Sequence, residues 1–504
     1  MRPLQRPKPT VPLDPSRFPP LVKRLGEYFA STGTCAYLVG GVVRDALLHR
    51  RTDDVDLAVS GQPQQVGSDI ADLVGGRTVL LDEARDIVRV AVPNRGGVKT
   101  IDLTPLGDGI QGDLSRRDFT LDATALSIQD ACTQEPGVKI IDPHGGVADL
   151  DAGVIRALSP SVFAADPARL MRGPRLAAQL RFRLELETAE SIKRQAHLVS
   201  NVAPERVREE LLKLLAEPSA TYWLRLLDEL GLLCTIIPEL AEARGVTQPK
   251  EHHWDVLEHC IETPGQVERI LPQGGAEAGD FATEAVPRFT SVDDYFAQEA
   301  GDGHNRLTML KLAGLLHDIA KPATRTVDVT GRIRFLGHHR NGAEMATEIL
   351  ARLRFSRRWI GLVSAMVESH LRPGQMSQNG DLPTARAIYR FYRDVGEAAI
   401  DTLYLNMADY LAARGPLLGR AEWTEYCRIV AHVLHEGRAP GAPVREPRLI
   451  DGHDIMETFS LGPGPRIGVL LELVREAEGS GEIGSRDEAI QLVKSKLRSG
   501  GGGA

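Results

Sequence analysis

Short β-type runs stop at Ser159, and that break constrains the fold more than any other feature of the chain. Before it, Tyr37-Leu38-Val39, Val55-Asp56-Leu57-Ala58-Val59, Ile87-Val88-Arg89-Val90-Ala91-Val92 and Thr100-Ile101-Asp102-Leu103 are rich in β-branched residues and bounded by Gly, Pro or Asp, as strands are. Helical stretches lie between them. After it, apolar residues recur at helical spacing over 167–184, 189–199, 204–215, 221–232, 307–317 and 343–353. The pattern predicts an α+β chain: a small head with a mixed sheet and helices over 21–158, then a long all-α body.

A length of 504 residues predicts three or four packed units, since a domain takes roughly 100–200 residues. We place the body's divisions at 159–245, 246–420 and 421–498, with boundary signals where Pro and Gly cluster at 438–447 and a surface insertion at 274–303, rich in Gly and acidic residues. Residues 1–20 are proline-rich and 499–504 nearly all glycine; both read as loose tails, the first neither a signal peptide nor an anchor. No apolar run approaches the roughly 18 residues that span a bilayer. Five cysteines stand without a CxxC pair, which argues against a disulfide framework or zinc knuckle and fits a reducing cytoplasm. The net charge of −8 is not the footprint of a nucleic-acid binder. If RNA is the partner, basic residues must gather on one face, as Arg169, Arg172, Arg175, Arg181 and Arg183, or Arg206, Arg208 and Lys213, would allow; solvated helix faces are the other reading.

Two clusters carry chemistry. In the head, Leu38-Val39-Gly40-Gly41-Val42-Val43-Arg44-Asp45 reads as strand, glycine turn and helix, a turn that lets backbone approach a phosphate. Asp54 and Asp56 follow on a strand, where residues two apart share a face, so both carboxylates converge on one site able to hold Mg²⁺ facing a triphosphate. Arg116-Arg117-Asp118-Phe119-Thr120 and Asp166-Pro167-Ala168-Arg169-Leu170-Met171-Arg172 come next in order. Taken alone, Asp166 before Pro167 is also a helix N-cap pattern, and Asp102 is either a third carboxylate or a strand-end Asp.

The segments LVGGVVRD, DDVDLAVSG, RRDFTLDA, DPARLMRGPRLAAQLRF and PERVREELLKLL, over roughly 35–215, resemble the class II tRNA nucleotidyltransferase and poly(A) polymerase family of the polymerase-β-like superfamily. The resemblance implies that Asp54 and Asp56 hold catalytic metals; Asp102 stays the candidate for a third catalytic carboxylate. It implies that Gly40, Gly41, Arg44 and Asp45 line the triphosphate site and that Arg116, Arg117 and Asp118 contact ribose and phosphates. Asp166 and Arg169 then read the incoming base, with Arg172 and Arg175 beside them and Arg206 and Arg208 toward RNA. A carboxylate accepts from the exocyclic amine that C and A share and U and G lack, which suits such a pair. Three positions depart from the family pattern: Ala165 stands for Glu, Asp122 for Asn, and Gly173-Pro174 is expected to kink the helix carrying Arg169 and Arg175.

In the body, His259, His317-Asp318, His338, His370 and Asp409 supply imidazoles and carboxylates suited to a divalent transition metal or Mg²⁺. A His-Asp pair inside the apolar run 312–319 is costly to bury without a partner. The order resembles the HD phosphohydrolase superfamily over roughly 252–415, which implies these six as ligands of a one- or two-metal site. His338 and His339 compete for one ligand place, His252 and His253 are less placed, and Lys321 is suited to a phosphate. The joint expectation is an enzyme that adds CMP and AMP from CTP and ATP to RNA 3′ ends, most simply the CCA end of tRNA, using Mg²⁺, with an HD domain that hydrolyses phosphoesters. A poly(A) polymerase or A-adding enzyme, an HD phosphohydrolase with an RNA-binding head, and an inert HD scaffold are the alternatives. No membrane or obligatory protein partner is expected.

Overall fold

The structure, a computed structural model, describes residues 13, 15–93, 98–133, 138–272, 279–377, 381–437 and 449–499. The expected glycine tail beyond 499, most of the proline-rich start and the boundary at 438–447 lie outside the described residues. The chain divides into two compact units, Met1–Glu217 with Leu226–Ile236, and Pro218–Arg225 with Ile237–Ala504.

The first unit is built on six strands: β1 (Ala36–Val39), β2 (Asp54–Val59), β3 (Arg77–Asp82), β4 (Ile87–Ala91), β5 (Thr100–Pro105) and β6 (Ala125–Ser127). They lie in the order β3-β4-β5-β2-β1-β6. β2 and β5 run parallel, with Asp56 opposite Asp102; the other neighbouring pairs are antiparallel. The mixed sheet expected from the sequence is present. Alternation along β2 sends Val55 and Leu57 into the core and leaves Asp54 and Asp56 on the opposite face. Leu13 and Phe18 are buried and Pro15–Arg17 forms a 3-10 turn, so the segment expected to be a loose tail contains packed residues. The helix Arg169–Leu180 runs unbroken through Pro174. Gly173 allows this close packing, because a Cβ there would stand 3.2 Å from the Phe119 ring.

The second unit centres on Arg306–Leu316, a helix buried at every residue, whose two charged side chains, Arg306 and Lys311, are ion-paired with Asp401 and Glu268. Val256–Ile270, Arg357–Ser369 and Ala399–Arg414 pack against it, and His338–Arg352 packs along Arg357–Ser369. Because its C-terminal end lies inside the bundle, His317 and Asp318 are carried into the interior with it. Of the expected surface insertion, 274–278 lie outside the described residues; in the rest Ala282, Val286, Val292 and Phe296 are buried among exposed and half-buried residues. Short pairings, Glu299–Gly301 with His304–Asn305 and Arg325–Val327 with Ile333–Phe335, punctuate the helices. A small separate core forms around Ile450, Ile455, Ile467, Leu470, Val474, Ala489 and Val493.

Candidate functional site

In the first unit a cleft of about 650 Å³ is lined by Asp56, Asp102, Asp113, Arg116, Arg117, Asp118, Asp166, Arg169, Arg172, Arg206 and Arg208, among others. The motifs dispersed in sequence therefore meet here. Gly40 is the hinge that makes room: its φ is +71°, and a Cβ would fall 2.7 Å from an Arg117 guanidinium nitrogen and 3.5 Å from Asp56 Oδ2, so only glycine is accommodated. Burial pushes the Asp56 carboxyl up to about 6, with Arg117 opposing and Asp102 reinforcing the shift. Asp54 is exposed and accepts from Thr100 Oγ1 at 2.5 Å.

Asp102 lines the same cleft and is held in place from the side. Arg89, across on β4, grips it with Nε and a terminal nitrogen at 2.7 Å each, a planar two-pronged fit. Arg117 is steadied by Asp113, four residues earlier, at 3.0 Å. Neither Arg89 nor Asp113 was singled out from the sequence, although the i,i+4 charge spacing of Asp113 and Arg117 was a readable signal.

Two expectations change. Arg44 and Asp45 are not part of the cleft lining. They are buried and paired with one another at 3.0 Å, and Arg44 reaches Asp122 at 2.7 Å. Arg175 likewise turns away to Glu210 at 2.9 Å and Gln179 at 2.7 Å. Asp122, the apparent departure, has a physical reason: it sits between two cations, with Arg172 at 3.4 Å on its other oxygen, while Arg172 also meets Asp118 at 3.0 Å. Burial works against its charge, but Arg44 and Arg172 outweigh that and hold the carboxyl below its ordinary value. Breaking a buried charge network by removing one member costs about 3 kcal/mol, so Asp122→Asn is expected to lower the unfolding midpoint of the first unit in denaturant titration; an unchanged midpoint would refute the network's role. Since the folded-state pKa is depressed, Asp122's contribution is fully present above about pH 4, its unfolded value, and is lost as pH falls through the folded one.

Asp166 does not cap the helix, which starts at Arg169, though its Oδ1 accepts from the Ala168 amide at 3.2 Å. Both its oxygens are held by Arg206, at 3.1 and 2.8 Å. Burial raises its pKa and the Arg206 hydrogen bond and charge lower it more, leaving it below the usual range. Arg169 donates to the carbonyls of Val162 at 3.4 Å and Arg116 at 3.2 Å.

The second unit brings His259, His317, Asp318 and Asp409 into one group, and Asp318, His338 and His370 into another. Asp318 belongs to both. Its Oδ2 lies 3.2 Å from His259 Nε2 and 3.1 Å from His317 Nε2, while Oδ1 lies 3.3 Å from His338 Nε2 and 3.7 Å from His370 Nε2. Asp409 Oδ1 closes the first group, 3.0 Å from His259 Nε2. The rings are aimed from behind: Nδ1 of His317, His338 and His370 contacts the carbonyls of Gly314, Phe335 and Val367 at 2.8, 2.7 and 2.7 Å. A carbonyl only accepts, so each Nδ1–H donates, which turns each Nε2 toward the cluster as the atom a metal would take.

Asp318 Oδ2 is ion-paired with Lys321 at 2.5 Å, while Asp318 Oδ1 and His338 Nε2 are buried without a hydrogen-bond partner, which fits a divalent cation between them. The choice between His338 and His339 thus falls on His338. His253 is in neither group; its ring stands edge-on to Trp254, 4.5 Å between centroids. Burial, then the Lys321 charge, pushes His252 down to about 4, so it is neutral at pH 7.

A sheet-borne carboxylate pair opening on an arginine-rich cleft, together with a helical unit carrying a His/Asp cluster, defines a nucleotidyltransferase head joined to an HD-type domain. Residues 36–156 match the Poly A polymerase head domain family, 181–244 the family described as the probable RNA and SrmB-binding site of polymerase A, and 295–414 the HD domain family. The chain is 36% identical over 468 residues to the A-adding tRNA nucleotidyltransferase of Deinococcus radiodurans, covering 91% of this chain and 95% of that one. It is 32% identical to the CC-adding tRNA nucleotidyltransferase of Thermus thermophilus, over 90% and 92%. The fold matches the Thermotoga maritima CCA-adding enzyme complexed with tRNA at a TM-score of 0.60, 21% identity and coverage of 98% and 100%. The chain belongs to the tRNA nucleotidyltransferase family. Among the described residues no helix is long and apolar enough to cross a membrane.

Proposed function

We propose that this chain extends the 3′ end of tRNA, transferring CMP and AMP from CTP and ATP to build the CCA terminus, in the cytoplasm. The observation that carries this reading is the single cleft lined both by Asp56 and by Asp166 with Arg169, which joins a chemistry end to a base-reading end. Asp54 and Asp56 would hold Mg²⁺, a hard cation that carboxylates suit. When bound, it supplies charge stabilisation for the triphosphate and the attacking hydroxyl. Arg116 and Arg117 offer guanidinium donors to the phosphates. Asp166, kept ionised, accepts from the base's amine, and Arg169 donates to a ring nitrogen or carbonyl. Arg206 steadies Asp166 and extends the basic lining with Arg208 toward RNA.

In the second unit, His259, His317, Asp318, His338, His370 and Asp409 would hold one or two divalent cations for phosphoester hydrolysis. Addition of A alone is the second reading, favoured by the 36% identity to an A-adding relative. The test is incubation with ATP, CTP and Mg²⁺ of tRNA lacking CCA, and of tRNA ending in CC, followed by sequencing of the added nucleotides. Extension of both by the expected bases supports CCA addition, extension of the CC-ended tRNA alone supports A-only addition, and extension of neither refutes both.

Arg206→Ala is expected to raise the KM for ATP and CTP about tenfold while changing kcat less than about threefold, since it frees Asp166 without touching the carboxylate pair. Incorporation of UTP should rise in parallel. A fall in kcat at unchanged KM would show that Arg206 acts elsewhere.

A further inference from the structure

We propose that Arg89 is a positioning residue for nucleotidyl transfer. By holding Asp102 it leaves the acidic face of the first unit two free carboxylates, so that a divalent cation is held tightly only together with a triphosphate. The inference rests on reading Asp54 and Asp56 as the Mg²⁺ carboxylates and adds the residue that sets their affinity.

Arg89 on β4, Asp102 on β5 and Asp56 on β2 stand directly opposite one another across three adjacent strands. Opposed residues of neighbouring strands project to one face, so the three side chains form a row. Asp54 lies two residues before Asp56 and shares that face. Three carboxylates therefore crowd one patch, and Asp102 adds to the upward push that burial gives the Asp56 carboxyl. Like charges this close call for a cation among them. Arg117 opposes the shift of Asp56 from one side. Arg89 supplies charge from the other. It lies within electrostatic range of Asp54 and Asp56, while its Nε and a terminal nitrogen close on the two oxygens of Asp102 at 2.7 Å each.

Stability does not account for this fork. The Arg89 side chain is 41% exposed, and an ion pair so open to water adds little to folding. What the fork fixes is the third acid. Asp102 lines the cleft beside Asp56, whereas Arg89 is not part of that lining and acts from behind, through Asp102. The affinity of an oxygen site for a divalent cation rises with the number of carboxylates it offers. A Mg²⁺ site of one or two carboxylates completes its shell with substrate phosphates, and is strong only when the nucleotide is present. A third free carboxylate would hold the ion without nucleotide, and Arg89 withholds it.

The test is Mn²⁺ binding to the full chain, read from the electron paramagnetic resonance signal of the free ion, with and without ATP. The proteins are the parent, Arg89→Ala, Arg89→Lys, Asp102→Asn and the Arg89→Ala/Asp102→Asn double variant. Binding that Asp54→Ala/Asp56→Ala removes belongs to the first unit, which separates it from the His/Asp cluster, and filter binding of tRNA checks folding. Without ATP, Arg89→Ala is expected to bind Mn²⁺ about tenfold more tightly than the parent, since one more carboxylate is offered. Arg89→Lys, which keeps the charge but not the fork, should tighten binding about threefold, and carries the comparison if alanine unfolds the sheet. In the Asp102→Asn background Arg89→Ala is expected to change nothing, because Arg89 acts through that carboxylate. Extension by Arg89→Ala should also reach its maximum at lower Mg²⁺ than extension by the parent. Unchanged Mn²⁺ affinity in both Arg89 variants would overturn the proposal. So would tightening that persists with Asp102→Asn, which would make Arg89 a bare charge acting on Asp54 and Asp56. Absence, even with ATP, of any Mn²⁺ site that Asp54→Ala/Asp56→Ala removes would bring down the reading of the pair itself, and the role of Arg89 with it.

Discussion

Replacing Asp54 and Asp56 together by alanine is expected to slow extension of a tRNA lacking its CCA end at least about 10³-fold, equivalent to roughly 4 kcal/mol of transition-state stabilisation. The size follows from the geometry of β2 and β5. The two carboxylates share the sheet face away from the core, and the neighbouring acid that might replace them, Asp102, is gripped on both oxygens by Arg89. No spare carboxylate on those strands is left to take over. Asp56, which lines the cleft and is driven up to about 6 by burial, should account for more of the loss than the exposed Asp54. Asp102→Asn should cost far less than either. Single-turnover extension with ATP and CTP gives the rates, and filter binding of tRNA, expected to be unchanged, separates chemistry from RNA affinity. A double variant within tenfold of the parent would refute the assignment.

How much of this was legible in the residues depended on the range of the interaction. β-Branched runs bounded by Gly, Pro or Asp marked β1, β2, β4 and β5. They missed β3, whose Val79, Leu80 and Leu81 are all exposed at an edge, and β6, which is only three residues long. The His/Asp cluster of the second unit was readable as a candidate ligand set because a buried helix does not carry His317-Asp318 without partners. What the sequence did not reveal were pairings between distant charges. Arg44 looked like a triphosphate contact and Arg175 like a neighbour of the base-reading pair, but they are consumed by Asp122 and Glu210, 78 and 35 residues away. Arg206 looked like an RNA contact but holds Asp166, 40 residues earlier. A guanidinium reads the same in sequence whether it awaits a ligand or is already satisfied by a carboxylate, and only the fold decides.

That distinction makes Asp318 the most informative single position in the second unit. One carboxylate serves both ligand groups, Oδ2 toward His259 and His317 and Oδ1 toward His338 and His370. Asp318→Ala is therefore expected to lose every tightly bound transition-metal ion and to reduce phosphoester hydrolysis at least about 10³-fold, since both the cation's charge and its position go with the ligand. His338→Ala removes a ligand from one group only, and should keep one ion per chain if the parent holds two. The buried carboxylate also balances Lys321 at 2.5 Å, so alanine leaves an ammonium unpaired in the interior and the second unit should unfold more readily. Asp318→Asn, of the same shape, controls for packing. Metal per chain after exhaustive dialysis, read by mass spectrometry, is the deciding measurement, with tRNA extension by the carboxylate pair of the first unit confirming that the chain has folded. Retention of two ions by Asp318→Ala would mean that the two groups do not share this ligand, and each would then have to complete its coordination from residues the present arrangement leaves outside it.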